Sequence, residues 1–326
     1  MQRVAIIGAG LAGAVLSERL LAAGVEVSIF EKSRGTGGRL ASARLGDLSG
    51  DLGASAIDSH SEVFTAWLTH QQQLGRVQSW VPKVIDFDGV ERRSEPLWVG
   101  VDRNSSLTRA LIEGAKLYSG TRIGTVWSDR EGVLLRDEHS VSLGHFDAVI
   151  CTAPAPQAVP LLEAVPRFSH LAEEAVTDPA WVYLVSLDRL PERLKTADVV
   201  ETGHPSIARI VVDSNKPGRS GVVLKLEMER DWSEENIDLH AETVKSEIRN
   251  LLEDWLVERL EIGSERIHRW LYNRSYQPDP STLALWDADS GIGACGDWIG
   301  APGLDGSFNS ANHLADLLLT SGQSAA

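Results

Sequence analysis

The stretch RVAIIGAGLAGAVLSERLLAAGVEVSIFEK, residues 3–32, constrains the fold more than any other part of the chain. A short apolar run, RVAIIG, leads into Gly8, Gly10 and Gly13, and apolar residues at helical spacing then continue to Gly24. A second apolar run, VEVSIF, ends at Glu31. Strand, glycine turn, helix, strand and acid in this order predict a βαβ unit that binds a dinucleotide. Gly8 permits the tight turn, Gly10 lets the main chain approach a pyrophosphate, and Gly13 lets the helix pack on the strand. The first helical residues, Leu11 and Ala12, offer free N–H groups at the positive end of the helix dipole. Glu31 can accept hydrogen bonds from both hydroxyls of a ribose.

A second glycine cluster follows at once in KSRGTGGRLAS, residues 32–42. Gly35, Gly37 and Gly38 give a main chain that can run close beside a long extended ligand, and Arg39 can reach a phosphate or the polar edge of a ring. A nicotinamide dehydrogenase needs no second passage of this kind, whereas FAD is long enough to use one. Near the other end, GIGACG reads as a short buried strand with Asp297 just beyond it. A carboxylate there suits the ribityl hydroxyls beside the pyrophosphate. The amphipathic helix SFNSANHLADLLL follows, and its N-terminus near Gly306 and Ser307 suits negative charge on a reduced flavin.

The rest of the composition narrows the class. The chain has 326 residues, which suggests about two domains. Its net charge of −15 argues against nucleic acid or an anionic membrane as a partner. Cys151 and Cys295 lack ligand spacing, so neither a zinc site nor a disulfide framework is expected, and no metal site is assigned. No apolar run has the length of a membrane span, and the chain opens on a strand rather than a secretory leader, so a cytoplasmic location is expected.

Further elements are legible in order. SEVFTAWLTHQQQLG reads as a helix, VIDFDGVERR as a hairpin turning at Asp-Gly, and SSLTRALIEGA as a helix with a serine cap. TRIGTVWSD, GVLLRDE and SVSLG read as successive antiparallel strands, and FDAVICTAP returns to the nucleotide domain with Thr152 beside the cofactor. AWVYLVSLD, SIARIVVD and GVVLKLEME then form a second sheet. DWSEENIDLHAETVKSEIRNLLEDWL reads as one long amphipathic helix capped by Ser233, and SGQSAA as a tail.

GAGLAG with Glu31, GTGGR, CTAPAPQA (151–158), DPAW (178–181), HRWLY (268–272) and CGDW (295–298) together resemble the renalase-like branch of the flavin-containing amine oxidase superfamily. The resemblance covers nearly the whole chain. It implies non-covalent FAD in an α/β fold like that of p-hydroxybenzoate hydroxylase, a Rossmann-type domain with an inserted mixed or antiparallel sheet. The implied FAD-binding domain comprises residues 1–75, 95–165 and 288–326, and the substrate domain comprises 76–94 and 166–287. The resemblance carries cofactor contacts onto Ala12, Glu31, Lys32, Gly38, Arg39, Gly53, Ala54, Val126 and Asp297. Trp181, His268, Trp270 and Trp298 become pocket candidates because family motifs hold them.

The activity so implied is oxidation of 2- and 6-dihydro isomers of NAD(P)H, with hydride passing to flavin N5 and electrons on to O2, forming hydrogen peroxide. Aromatisation of the ring drives loss of hydride, so no general base is assigned. His268 reads as a packed histidine rather than a proton shuttle. Arg209, Lys216 and Arg219 read as surface charges that can also attract a dinucleotide. One segment departs from the family: GASAID at 53–58 stands where the branch carries an aromatic sequence of the form GAQYF, which points to a wider or differently shaped pocket. The alternatives are a flavin oxidase of another small amine or cyclic substrate, and an FAD-binding scaffold or sensor without turnover.

Overall fold

The computed structural model describes residues 1–277 and 282–323. Two large sheets organise them. The first has six strands in the order 285–287, 292–294, 148–151, 3–7, 26–31 and 116–119. All neighbours in it are parallel except the pair 285–287 and 292–294. Its central strands are near-continuous apolar runs because both faces are covered. The first helix, Leu11–Ala22, and the last, Gly303–Gln323, lie on one face around Val4, Ile6 and Leu314. The antiparallel strands 123–129, 132–137 and 142–146 cover the other face, where Val126, Leu135 and Phe146 pack against Phe30.

The second sheet has seven strands in the order 262–276, 176–187, 223–228, 207–212, 199–201, 84–85 and 91–92. Successive residues of its strands pack on different partners across the two faces. Trp181, Tyr183, Leu224, Leu226 and Ile210 point to one face, where the helix Ala241–Leu256 supplies Val244, Ile248 and Leu252. Val182, Leu184 and Val223 point to the other, packing on Ala43, Leu45 and Leu52 from the hairpin 42–51 beside the nucleotide sheet. That second face is therefore turned toward the glycine-rich end of the first sheet.

Three local expectations are corrected. The long helix read across 231–256 is two, Arg230–Glu235 and Ala241–Leu256. Ser233 caps neither; it is fully buried in the shorter one, and its hydroxyl accepts from the Trp181 N–H at 3.2 Å. His240 takes the cap position of the longer one, accepting from the Glu242 N–H through Nδ1. The helix Ser105–Leu111 is preceded by Asn104 rather than capped by its serine, and the Asn104 side chain accepts from the Gly100 N–H at 2.8 Å. The last helix begins at Gly303, so Gly306 lies within its first turn. Of the SGQSAA tail, the helix takes the residues to Gln323, and 324–326 lie outside the described residues.

Candidate active site

At the carboxyl ends of the parallel strands the two glycine clusters lie against each other. The Gly37 N–H donates to the Ala9 carbonyl at 2.9 Å, and Gly10 and Gly37 form a bridge. A Cβ on Gly38 would meet the Gly10 Cα at 3.1 Å, and one on Gly13 would run into the Gly8 carbonyl. Gly8 holds φ +111°, and a Cβ there would stand 2.6 Å from the Thr152 hydroxyl, which donates to the Ile7 carbonyl. These glycines are required by backbone meeting backbone, before any ligand is considered.

The start of the first helix shows what the cradle is for. Its cap residue is Gly10, with no side-chain cap and no acid in the first turn. Leu11 and Ala12 are 4% and 6% exposed, yet the first bond of this helix is from the Ala14 N–H to the Gly10 carbonyl. The N–H groups of residues 11–13 thus lack a helical acceptor at a buried helix end, an arrangement that calls for an external anion. A pyrophosphate fits it. Glu31, buried at the end of its strand, accepts from the Ala9 N–H at 2.9 Å and the Ser33 N–H at 2.7 Å. Both oxygens are thereby fixed in place, with lone pairs left for ribose hydroxyls. Lys32 is tied to Gln157, and Val126 is buried beside Phe30.

Arg39 and Asp297, 258 residues apart in sequence, form a two-pronged ion pair, Nη2 to Oδ1 at 2.6 Å with a second contact from Nη1 to Oδ2. Asp297 is 1% exposed. Burial disfavours the Arg39 charge, but the Asp297 carboxylate outweighs it and holds the guanidinium pKa above its ordinary value. Gly53 is wedged against the Arg39 carbonyl, where no Cβ has room, and the Ala54 N–H donates to that carbonyl at 2.6 Å. The pair therefore joins the second glycine passage, the 52–55 loop and the carboxyl end of the 292–294 strand. Gly306 packs its backbone on the Ala301 carbonyl behind this point.

Above the loop stands the inward face of the second sheet. Lys225, 1% exposed, reaches across to donate to the Gly53 carbonyl, to Ser55 Oγ at 3.1 Å and to Glu227 Oε1 at 2.6 Å. Ser55 Oγ also donates to Glu227 Oε1, at 2.8 Å. Strand register places one row across this face: Glu201 opposite Arg209, Arg209 opposite Glu227, Glu227 opposite Val182, and Val182 opposite His268. Trp270 closes it, its ring edge-on to His268 with centroids 4.4 Å apart and its Nε1 donating to the Leu52 carbonyl at 3.3 Å. Burial, followed by the nearby Arg266 charge, pushes His268 down to about 4, so its imidazole is neutral at neutral pH. Burial opposes ionisation of Glu227, but Lys225 and Arg209 overcome it and bring it down to about 2.

Two pocket candidates are corrected. Trp181 lies on the far face of the sheet under the 230–256 helices, 2% exposed, with Nε1 donating to the Asn236 carbonyl at 3.1 Å. Strand alternation sends it away from the cleft, because its neighbour Val182 takes the inward position. Trp298 is 1% exposed in the core below the nucleotide sheet, donating to the Ala153 carbonyl. His268 and Trp270 do face the loop. Lys216 and Arg219 are not surface charges: Lys216 bonds Asp51 at 2.9 Å and Asp213, Arg219 bonds Asp51 at 2.9 Å, and all four side chains are at most 4% exposed. Sequence reasoning missed Lys225 and Glu227. The alternation Val223-Leu224-Lys225-Leu226-Glu227 carried the signal, since it puts both charges on one face.

Among the described residues no helix is long and apolar enough to cross a membrane, and no cluster could hold a metal ion. Residues 6–70 match the NAD(P)-binding Rossmann-like domain, and residues 79–291 match the flavin-containing amine oxidoreductase family. A 4,4'-diapophytoene desaturase of Staphylococcus aureus is 36% identical over 67 residues, which are 20% of this chain and only 13% of the desaturase. A structure assigned as a protoporphyrinogen oxidase of Exiguobacterium sp. 255-15 shares the fold at TM-score 0.73, with 14% identity over 97% of this chain and 98% of that one. A redesigned triple mutant of putrescine oxidase shares it at TM-score 0.70, with 13% identity over 98% and 99%. The glycine-rich cradle, the uncapped buried helix end and a family match across most of the chain lead to one assignment: this chain belongs to the flavin-containing amine oxidoreductase family.

Proposed function

We propose that this chain oxidises aberrant dihydro isomers of NAD(P)H, as the renalase-like branch does, with O2 as the final electron acceptor. The observation that carries the reading is the inward row Glu201–Arg209–Glu227–Val182–His268, whose mixed donors and acceptors suit the polar groups of a nucleotide better than an ammonium on an apolar body. Bound FAD supplies the two-electron acceptor. Gly8, Gly10, Leu11, Ala12 and Gly13 hold its pyrophosphate, Glu31 its ribose, and Arg39, Asp297, Gly53 and Ala54 its inner half. Lys32, Gly38, Val126, Thr152 and Gly306 shape the walls.

The protein's own contribution is orientation and exclusion of water. Trp270, pinned to the Leu52 carbonyl, gives a flat apolar wall against which a ring can lie. His268 stays neutral and therefore does not repel a positively charged pyridinium product. Glu227, held ionised, is a weak base and takes no proton from the substrate. None of these groups has to move a proton, which matches a reaction driven by aromatisation. Oxidation of another small amine is the alternative. Tyr183 lies on the opposite face, beneath the 241–256 helix, and Tyr118 stacks on Phe30 in the nucleotide sheet, so neither belongs to the inward row.

Anaerobic mixing of the purified holoenzyme with partly reduced NAD isomers tests the reading. Rapid loss of the flavin absorbance with the isomers, and none with primary amines, is expected. Bleaching by amines alone overturns the reading in favour of an amine oxidase, and bleaching by neither leaves a flavin-binding scaffold.

A further inference from the structure

The inward row holds two unused hydrogen-bonding groups beside each other. Arg209 donates through Nε to Glu201 Oε2 at 2.7 Å, and its two Nη groups take no partner among the described residues. Glu227 accepts Lys225 and Ser55 at Oε1, and its Oε2 takes no partner among the described residues. Both side chains keep some surface, at 42% and 26% exposed. They are direct cross-strand partners, which places their Cβ atoms about 4.5–5.5 Å apart. The result is a fixed donor next to a fixed acceptor on the face above the 53–55 loop.

We infer that Arg209 and Glu227 form a subsite for a primary carboxamide, the arginine donating to the amide oxygen and the glutamate accepting from the amide nitrogen. The inference rests on the dihydronicotinamide reading, since that ring carries such a group. Neighbouring charges favour a neutral ligand. A carboxylate at Arg209 would lie between Glu201 and Glu227, with Asp58 also close enough to influence the arginine. An ammonium at Glu227 would stand against Lys225 and Arg209. A primary amide offers each group its complement and adds no charge. The framework is rigid: Glu201 fixes the arginine, while Lys225 and Ser55 fix the glutamate.

Ser55, from the GASAID segment, belongs to the same framework. Ser55 is small enough for Lys225 to reach the Gly53 carbonyl, and its hydroxyl completes the hold on Glu227. A bulky side chain at this position would take the space that Lys225 occupies. Ser55 is thus a positioning residue, acting through Glu227.

The test uses non-reducing probes on the FAD-loaded protein, read by perturbation of the flavin absorbance. Nicotinamide mononucleotide is expected to bind at least about 10-fold tighter than nicotinic acid mononucleotide, with the 3-acetylpyridine analogue, an acceptor only, in between. One good charge-assisted hydrogen bond has that size. Glu227→Gln should shrink the amide-to-acid ratio at least threefold, and Arg209→Lys should keep more amide affinity than Arg209→Ala. Equal binding of amide and acid by the native protein, tighter binding of the acid, or no perturbation by any probe overturns the subsite without relying on a variant that folds. Bleaching by dihydro isomers with a ratio near one keeps the activity and removes the subsite. A ratio above ten without bleaching removes the activity and keeps an amide site.

Discussion

Asp297 and His268 are the two residues whose environments translate most directly into measurable change. Asp297→Asn leaves the Arg39 guanidinium without its counter-charge in a mostly buried position. Removing one member of such a pair costs about 3–5 kcal/mol, which should appear in urea unfolding of the apoprotein, together with loss of flavin on gel filtration. Adding Arg39→Met should restore most of the apoprotein stability but not flavin retention, separating folding from binding. His268 has a folded pKa of about 4 against an ordinary value of 6.5. The unfolded chain therefore binds the extra proton first as pH falls, so stability is fully present above about pH 6.5 and drains away toward pH 4. The slope from this residue is at most about 1.4 kcal/mol per pH unit, and His268→Gln should flatten that part of the unfolding profile. The order strand, glycine, acid at a strand's carboxyl end marked Asp297 in the sequence. It did not show that Arg39 would be its partner, since nothing local links positions so far apart.

Strands and helices were legible to different degrees, and the reasons are physical. The βαβ unit was readable residue by residue because backbone contacts dictate its glycines. Strands 176–187 and 207–212 announced themselves by runs of apolar, aromatic and β-branched residues, and 223–228 by alternation. Choosing which face looked at the cofactor needed the structure, and Trp181 fell on the wrong side for that reason. The break between helices 230–235 and 241–256 was hidden because Trp232 and Ser233 follow the helical apolar pattern while serving to cover Trp181. The buried cluster of Asp51, Asp213, Lys216 and Arg219 was equally invisible: it joins the 42–51 hairpin to the turn after strand 207–212, and only tertiary contact brings the charges together. Burial works against Asp51, but Lys216 and Arg219 hold its pKa below the usual range. Lys216→Met should thus cost about 3–5 kcal/mol in chemical denaturation, by stranding the buried Asp213 carboxylate and leaving Asp51 with Arg219 alone. A loss below about 1 kcal/mol would mean that the cluster does not bind the hairpin to the second sheet.

At the scale of the molecule, the inward face of the second sheet stands over the 53–55 loop at the carboxyl end of the first. One brings the glycine loops, Glu31, Arg39 and Asp297; the other brings Trp270, His268, Glu227 and Arg209. The residues of the first half stand in glycine-rich motifs that can be picked out in order along the chain. The residues of the second half alternate with core residues on strands whose register no local pattern states. The most direct test of the account is an anaerobic single turnover with equimolar holoenzyme and a purified dihydro isomer of NAD(P)H, followed by chromatography of the nucleotides. The account predicts one NAD(P)+ formed for each flavin bleached. Bleaching without NAD(P)+, or aldehyde from a primary amine as the sole oxidised product, would contradict it.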